Sequence, residues 1–397
     1  MPMTNFPQGF AAGLSVRGMP LLQMQPGEVF FVGNGSILRK GQAAGSNGSD
    51  GTFQRPYATL EYAVNTATVP GRGDIVFVLP GHKETIADAT TLGMKSSGTA
   101  VVGLGAGNFR PRLTYSTADT ANIPVTGSGM SVQNILFVGN FLSVAAAFTG
   151  ASTTFTGVIT ANGVLTVSAL TGTVVPGQAL ASSAAVGVAI GTVILRQLTG
   201  TTGAAGTYQT NATVAVASGT MTTSPHDFAI DNCEFRDNST VLGFLTLFTC
   251  SATANACDGL TVINTKWWSL SSVSVTCAVV TTVAQDRVNL SDNIMNSPTT
   301  AVTEGPILLA AGAADMTNIL IYNNQLQRKG VSTTLPNAVG GSGTAWTGSA
   351  NRNLVGTGAS GATGTWISAG TTVSTNENYS VITRAADKSG LINPVAA

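Results

Sequence analysis

Apolar and polar positions along this chain repeat in one recurrent form: apolar, x, apolar, x, Asn or Asp, x, x, apolar. Met130, Val132, Asn134 and Phe137 carry it first, and Phe228, Ile230, Asn232 and Phe235 carry it next. It returns in Leu260, Val262, Asn264 and Trp267, in Val288, Leu290, Asp292 and Met295, and in Ile319, Ile321, Asn323 and Leu326. The starts are 98, 32, 28 and 31 residues apart. Alternation at period two predicts a short strand, and the Asn followed by a new apolar position predicts a bend into a second strand. A unit of this size cannot bury its apolar face alone, so the repeat predicts a stacked solenoid. The text between copies is rich in Gly, Thr, Ser and β-branched residues, with almost no helical spacing. The expected fold is therefore all-β: a right-handed parallel β-helix with two or three strands per coil. Asn tolerates the left-handed bend, and stacked from coil to coil about 4.8 Å apart the Asn column is expected to form an amide ladder. Thr347, Ser349, Asn351 and Leu354 read as a fainter further copy.

The 98-residue interval exceeds one coil, which predicts an insertion between Phe137 and Phe228. Residues 153–223 fit it, with Arg196 as their single charged residue. Val158–Val167, Val188–Leu195 and Thr213–Met221 alternate like strands around turns at Asn162 and Gly163, Pro176 and Gly177, and Gly200–Gly206. A small β-module is expected there. Val174–Leu195 is apolar, but Pro176, Gly177, Gln178 and paired serines interrupt it, which argues against a membrane span.

Residues 1–44 read as an extended apolar arm in which Phe6, Phe10, Leu14, Leu21, Leu22, Met24, Phe30 and Phe31 are separated by Gly and Pro. Such an arm either closes the end of the solenoid or contacts a partner. Pro56 through Thr66 is expected to form one short amphipathic helix, with Leu60, Ala63 and Val64 on one face, capping the first coil. The expected organisation is the arm at 1–44, the first part of the β-helix with its cap at 45–152, the inserted module at 153–223, the second part at 224–383 and a tail at 384–397.

Composition narrows the function classes. The 397 residues include 18 basic and 18 acidic side chains, a net charge of zero, and only 9% are charged. A neutral surface argues against nucleic acid as a partner, and its low charge suggests that much of it meets other protein. No basic stretch followed by an apolar run opens the chain, so no signal peptide is expected. Cys233, Cys250, Cys257 and Cys277 lack metal-binding spacing and are expected as free buried thiols. His82 and His226 are expected at solvated turns or strand ends.

The run Gly45, Ser46, Asn47, Gly48, Ser49, Asp50, Gly51, then Arg55–Leu60 and Ala63, followed by Gly73–His82 and Glu84, resembles the opening of pectate-lyase-like parallel β-helix proteins of tailed bacteriophages. Phe6, Pro7, Gly18–Leu22 and Pro26–Phe30 resemble more narrowly a group of phage virion proteins. The resemblance implies a structural virion role, assembled in the host cytoplasm and usually trimeric. Capsid decoration on the head exterior, bound to the major capsid protein, comes first, and a tail fibre or tailspike that binds or cleaves host glycan is the alternative.

Catalysis on a glycan requires two carboxylates on either side of a sugar, or a calcium cluster with a base. Asp231, Glu234 and Asp237 share one coil, and Asp286 and Asp292 lie two coils on, with Arg236, Lys266 and Arg287 as the nearest cations. No dense carboxylate cluster is apparent, so a non-enzymatic protein without cofactor or metal is expected. Adjacent Trp267 and Trp268 must point to opposite faces of a strand. Trp267 is expected in the core, and Trp268 outside at a protein contact or stacked on a sugar. Together with Phe6, Phe10, Leu14, Leu21, Leu22 and Phe30, Trp268 forms the expected partner-contact set. Gly103, Gly105 and Gly107 read as a tight corner rather than a nucleotide loop.

Overall fold

A computed structural model of the chain describes residues 14–16, 19–21, 27–34, 38, 41–182, 187–189, 191–250, 258–268, 270, 277–281, 285–297, 316–328, 339–340, 347–357, 367–368, 372–382 and 390–391. Two long sheets dominate it, and each coil after the first contributes one strand to each. The first sheet runs in the order Val29–Val32, Ile75–Val78, Ala100–Gly103, Ser131–Gln133, Ala229–Asp231, Thr261–Ile263, Asn289–Ser291, Ile319–Tyr322, Thr347–Asn351 and Thr372–Asn376. All its pairings are parallel. The second sheet stacks Lys83–Ile86, Arg112–Tyr115, Leu136–Gly139, Glu234–Asp237, Lys266–Trp268, Ile294–Ser297, Gln325–Arg328, Leu354–Thr357 and Tyr379–Ile382, and ends on antiparallel Gly390–Leu391. A third sheet pairs Ile123–Val125, Phe148–Gly150, Thr246–Cys250 and Cys277–Thr281. This is a parallel β-helix.

The repeat works because equivalent residues stack in register. Val132, Ile230, Val262, Leu290 and Ile321 form one interior column, and Phe137, Phe235, Trp267, Met295 and Leu326 form the facing one. All are buried in one continuous core. Phe137 and Phe235 stack at 4.7 Å between ring centroids. At the next copy the frame differs by one from the expected one. Ile319, Ile321 and Leu326 pair with Gly348, Ala350 and Val355, so Thr347, Ser349 and Asn351 are not the interior positions. In a strand a one-residue slip exchanges the two faces, and small residues at Gly348 and Ala350 had hidden the true frame.

The second interior column opens on a polar residue, Glu84, in register with Leu113. Its carboxylate accepts the backbone N–H groups of Leu60 (2.7 Å) and Glu61 (3.3 Å), at the start of a helical segment, Leu60–Tyr62 continuing as a wider turn over Ala63–Ala67. Leu60, Ala63 and Val64 cover the core end. The helix starts at Leu60 rather than Pro56, because Tyr57 is held in extended bridging to Phe31 and Gly33, and Asn47 accepts from Ala58 and Thr59. His82 is not solvated: its ring is buried and its Nε2 lies 3.0 Å from Glu84.

Between Gly150 and Ala229 the chain forms a six-stranded antiparallel sheet from Thr153–Ile159, Val164–Thr171, Ala179–Ser182, Ile194–Thr199, Gly206–Thr210 and Val216–Ser224. It has its own core around Phe155, Leu165, Leu180 and Tyr208. No helix among the described residues is long and apolar enough to cross a membrane. Cys233 and Cys250 are free and buried, and burial pushes the Cys233 thiol up to about 12. Cys257 lies outside the described residues, as does the side chain of Cys277.

Phe30 belongs to the interior column of the first sheet, stacked on Val76, and is unavailable to a partner. Trp267 is buried and Trp268 is 38% exposed. Phe6, Phe10, Leu22 and the side chains of Leu14 and Leu21 lie outside the described residues.

Candidate functional site

Two bends border the first sheet, and both place non-glycine residues in the left-handed region. After the sheet the bend falls on Asn134, Asn232, Asn264, Asp292, Asn323, Arg352 and Glu377, with φ between 49° and 57° except Asp292 at 58°. The amide ladder lies one residue later. Asn293, Asn324, Asn353 and Asn378 are buried inside the coil. Each Asn Oδ1 of the next coil accepts both the backbone N–H and the Nδ2 of the one before: Asn293 to Asn324 at 3.0 and 3.0 Å, Asn324 to Asn353 at 3.0 and 2.9 Å, Asn353 to Asn378 at 2.9 and 3.1 Å. The second Nδ2 hydrogen of each goes to a carbonyl, Val262, Leu290, Ile321 and Ala350 in turn. The expected column, Asn134, Asn232, Asn264 and Asn323, instead supplies the bend. Of these, Asn264 and Asn323 donate outward to Asp231 and Asp292. The reason is geometric: a left-handed residue turns its side chain out of the coil, and the next residue returns inward.

The bend before the first sheet is chemically different. Its column, three residues ahead of the interior positions Val76, Val101, Val132, Ile230, Val262, Leu290 and Ile321, is Gly73, Gly98, Gly129, Asp227, Gly259, Arg287 and Asn318, all with positive φ. Its first coil has Arg72, paired with Asp74, before Gly73, and the next two are built from serine and glycine, Ser97 with Gly98 and Ser128 with Gly129. Ser97 donates to the carbonyl of Pro176, and Gln178 Nε2 donates to Thr126 at 2.9 Å, so a loop of the inserted sheet rests on this stretch. Ser128 Oγ accepts the His226 N–H at 3.2 Å. From there the column becomes ionisable. His226 Nδ1 lies 2.6 Å from Asp227 Oδ2, and Asp227 Oδ1 accepts from Arg287 Nη1 at 3.0 Å. Arg287 Nε donates to Asp286 Oδ2 at 3.3 Å. Asp286 Oδ1 accepts from Thr317 Oγ1 and Asn318 Nδ2, both at 2.7 Å. The Asp286 N–H donates to Asp258 Oδ1 at 2.9 Å.

Backbone bonds lock this register: the Asp227 N–H reaches the Asp258 carbonyl and the Gly259 N–H reaches the Asp286 carbonyl. Gly259 is required twice over. Its φ is +76°, and an added Cβ would stand 2.1 Å from Asp227 Oδ1.

Neighbouring carboxyls on this corner are pushed apart. Burial raises the Asp258 carboxyl above its ordinary value, and the negative charge of Asp286 adds to that. At Asp286 burial acts in the same direction, but donors from Thr317 and Asn318 and the Arg287 charge outweigh it and hold the group below its ordinary value. The two carboxyls are thus displaced in opposite directions, the sense of displacement found in an acid and base pair. No group of three or more metal-ligating side chains is present among the described residues.

The remaining candidates fall elsewhere. Asp237 is buried and accepts the N–H groups of Phe244 and Leu270 at 2.9 Å, a structural role. Asp231 and Asp292 lie along the other bend. Glu234 sits on the outer face of the second sheet between Arg110 and Arg236. Sequence reasoning found Asp286 and Arg287 but missed His226, Asp227 and Asp258. The signal lay in the pair preceding each repeat: His226 and Asp227, Asp258 and Gly259, Asp286 and Arg287, Thr317 and Asn318. Each pair is unremarkable alone, and only stacking makes them neighbours.

No family model and no curated protein matches the chain. Among solved structures it is similar to a rhamnogalacturonan lyase, at 12% identity and a TM-score of 0.34, over 83% of this chain and 68% of that one. It is also similar to a pectate lyase, at 12% identity and a TM-score of 0.36, over 91% of this chain and 78% of that one. The likeness is one of fold. Against the expectation of a non-enzymatic chain, both of these neighbours are polysaccharide lyases by title.

Proposed function

We propose that this chain is a glycan-cleaving β-helix protein whose working groups are Asp258 and Asp286. The observation that carries the reading is that stacking brings the two together on one partly exposed corner, where the Asp286 N–H donates to Asp258 Oδ1 at 2.9 Å and Arg287 links Asp286 to Asp227; their opposite displacement agrees with it. In it Asp258, protonated, donates to the glycosidic oxygen, and Asp286, ionised, activates water or stabilises the developing positive charge on the sugar. Arg287 holds Asp286, and Asp227 holds Arg287 from the other side. The biological setting proposed is the virion of a tailed bacteriophage, as a trimeric tail fibre or tailspike acting on host surface polysaccharide. The sequence resemblance of residues 45–84 supports that setting. A place on the head exterior is the second reading, favoured by the apolar text of residues 1–44; mass spectrometry of separated heads and tails distinguishes the two.

The test is depolymerisation of host capsule or lipopolysaccharide by the full chain, with Asp258→Asn and Asp286→Asn alongside. New reducing ends without an ultraviolet-absorbing unsaturated sugar, lost in both variants, are expected. Cleavage unaffected by either substitution would overturn the assignment.

A further inference from the structure

The two long sheets present different outer faces. On the first, the described outward positions from Val29 to Ser374 carry one charged residue, Asp231. On the second, Lys83, Arg112, Arg236 and Lys266 point outward against a single acid, Glu234, in a chain whose 18 basic and 18 acidic side chains cancel overall. Glu234 is already occupied by Arg110 at 3.2 Å and by Arg236. Lys83, Arg112 and Lys266 are exposed and make no ion pair among the described residues.

Register sets their spacing. Lys83, Arg112, Leu136, Glu234 and Lys266 occupy one outer row, and Arg236, Trp268 and Asn296 follow each other in the next. At about 4.8 Å per coil, Lys83 to Lys266 spans about 19 Å. Trp268, 38% exposed, is flanked by the Arg236 guanidinium and the Asn296 amide, with Lys266 two residues away on its own strand.

We infer that this face binds an acidic polysaccharide along the β-helix axis. Its sugar rings stack on Trp268, and its carboxylates or sulfates meet the cations of successive coils. Charge complementarity selects an anionic strand. One aromatic platform bordered by a guanidinium and an amide suits a sugar ring with hydroxyls on its edge, whereas a nucleic-acid groove calls for several stacking side chains. The face is separate from the Asp258 and Asp286 corner. It deepens the reading of a glycan-acting chain by naming the substrate class, and rests on that reading for the choice of glycan over other polyanions.

Affinity electrophoresis of the full chain through gels containing alginate, dextran or single-stranded DNA tests it, with no cleavage required. Retardation by alginate and not by dextran is expected, weakening as salt rises. Trp268→Ala and Lys266→Glu should each weaken alginate retention about tenfold, with unchanged thermal midpoints, and Trp268→Phe should recover part of it. Equal retardation by dextran or by DNA, or no effect of either substitution, would overturn the proposal. Cleavage lost in Asp286→Asn with alginate retention intact supports both sites as separate. Absent retention with cleavage intact would sink this face alone.

Discussion

On one side of the first sheet the chain bends at Asn134, Asn232, Asn264, Asp292 and Asn323, and on the other at Asp227, Gly259, Arg287 and Asn318. The backbone conformation is the same, and its cost of roughly 1 kcal/mol for a residue with a Cβ is the same. What differs is the neighbour of the bend. After the sheet the next residue turns inward, where only a group with its bonds met survives, and a row of buried amides in which Asn293, Asn324 and Asn353 use both Nδ2 hydrogens and the Oδ1 meets that demand. Before the sheet the preceding residue stays near the surface, so His226, Asp258, Asp286 and Thr317 need not be neutral or identical. One bend therefore sets the register of the coils, and the other is free to carry chemistry.

The sharpest way to break this comparison is to neutralise the second bend. Asp286→Asn should lower depolymerisation by about a thousandfold, within the range for removing a positioned acid or base. Its stability should change by no more than about 1 kcal/mol, as for a partly exposed ion pair. The reverse holds at the first bend. Asn324→Ala removes four hydrogen bonds, stripping the buried Asn293 of the acceptor for its N–H and one Nδ2 hydrogen and taking one donor each from Asn353 Oδ1 and the Leu290 carbonyl. Urea denaturation should show a loss of about 3 kcal/mol, with the activity of the remaining folded protein intact.

The pH profile gives a smaller effect. Activity requires Asp258 protonated and Asp286 ionised, so the rate against pH should be bell-shaped, with tenfold loss per pH unit beyond each limb. The acid limb should lie below the usual carboxylate range and the alkaline limb above it. Stability follows the same signs. Raised Asp258 contributes stability that is full below its unfolded value and lost as pH rises through its folded value. Lowered Asp286 contributes stability present above its unfolded value and lost as pH falls through its folded one. Smallest of all is the exposed bend residue itself. Asn264→Ala should cost about 1 kcal/mol in thermal unfolding, and Asn264→Gly should stay within about 0.5 kcal/mol.

The interior of the fold was legible because burial imposes one rule on every coil. Val132, Ile230, Val262, Leu290 and Ile321 obey it with different residues but the same spacing. The ladder was misplaced by one residue because Asn323 and Asn324 are adjacent and the pattern does not say which turns inward. The further copy was read one residue out of frame, since Gly348 and Ala350 give the interior no apolar signature. The candidate site was half legible. Asp286 and Arg287 stand out as charges, whereas Asp258 acquires its meaning only from the Asp286 N–H one coil away. Proximity across 28 residues of sequence is a product of register, and no single coil reveals it.

The proposed chemistry needs two neighbouring carboxyls displaced in opposite directions. A carbon-13 NMR titration of the Asp side-chain carboxyls in the full chain, with Asp258→Asn and Asp286→Asn used to assign the signals, measures that without reference to any substrate. Asp258 is expected to titrate above the ordinary carboxylate value and Asp286 below it. Both groups titrating together within the ordinary range would contradict it.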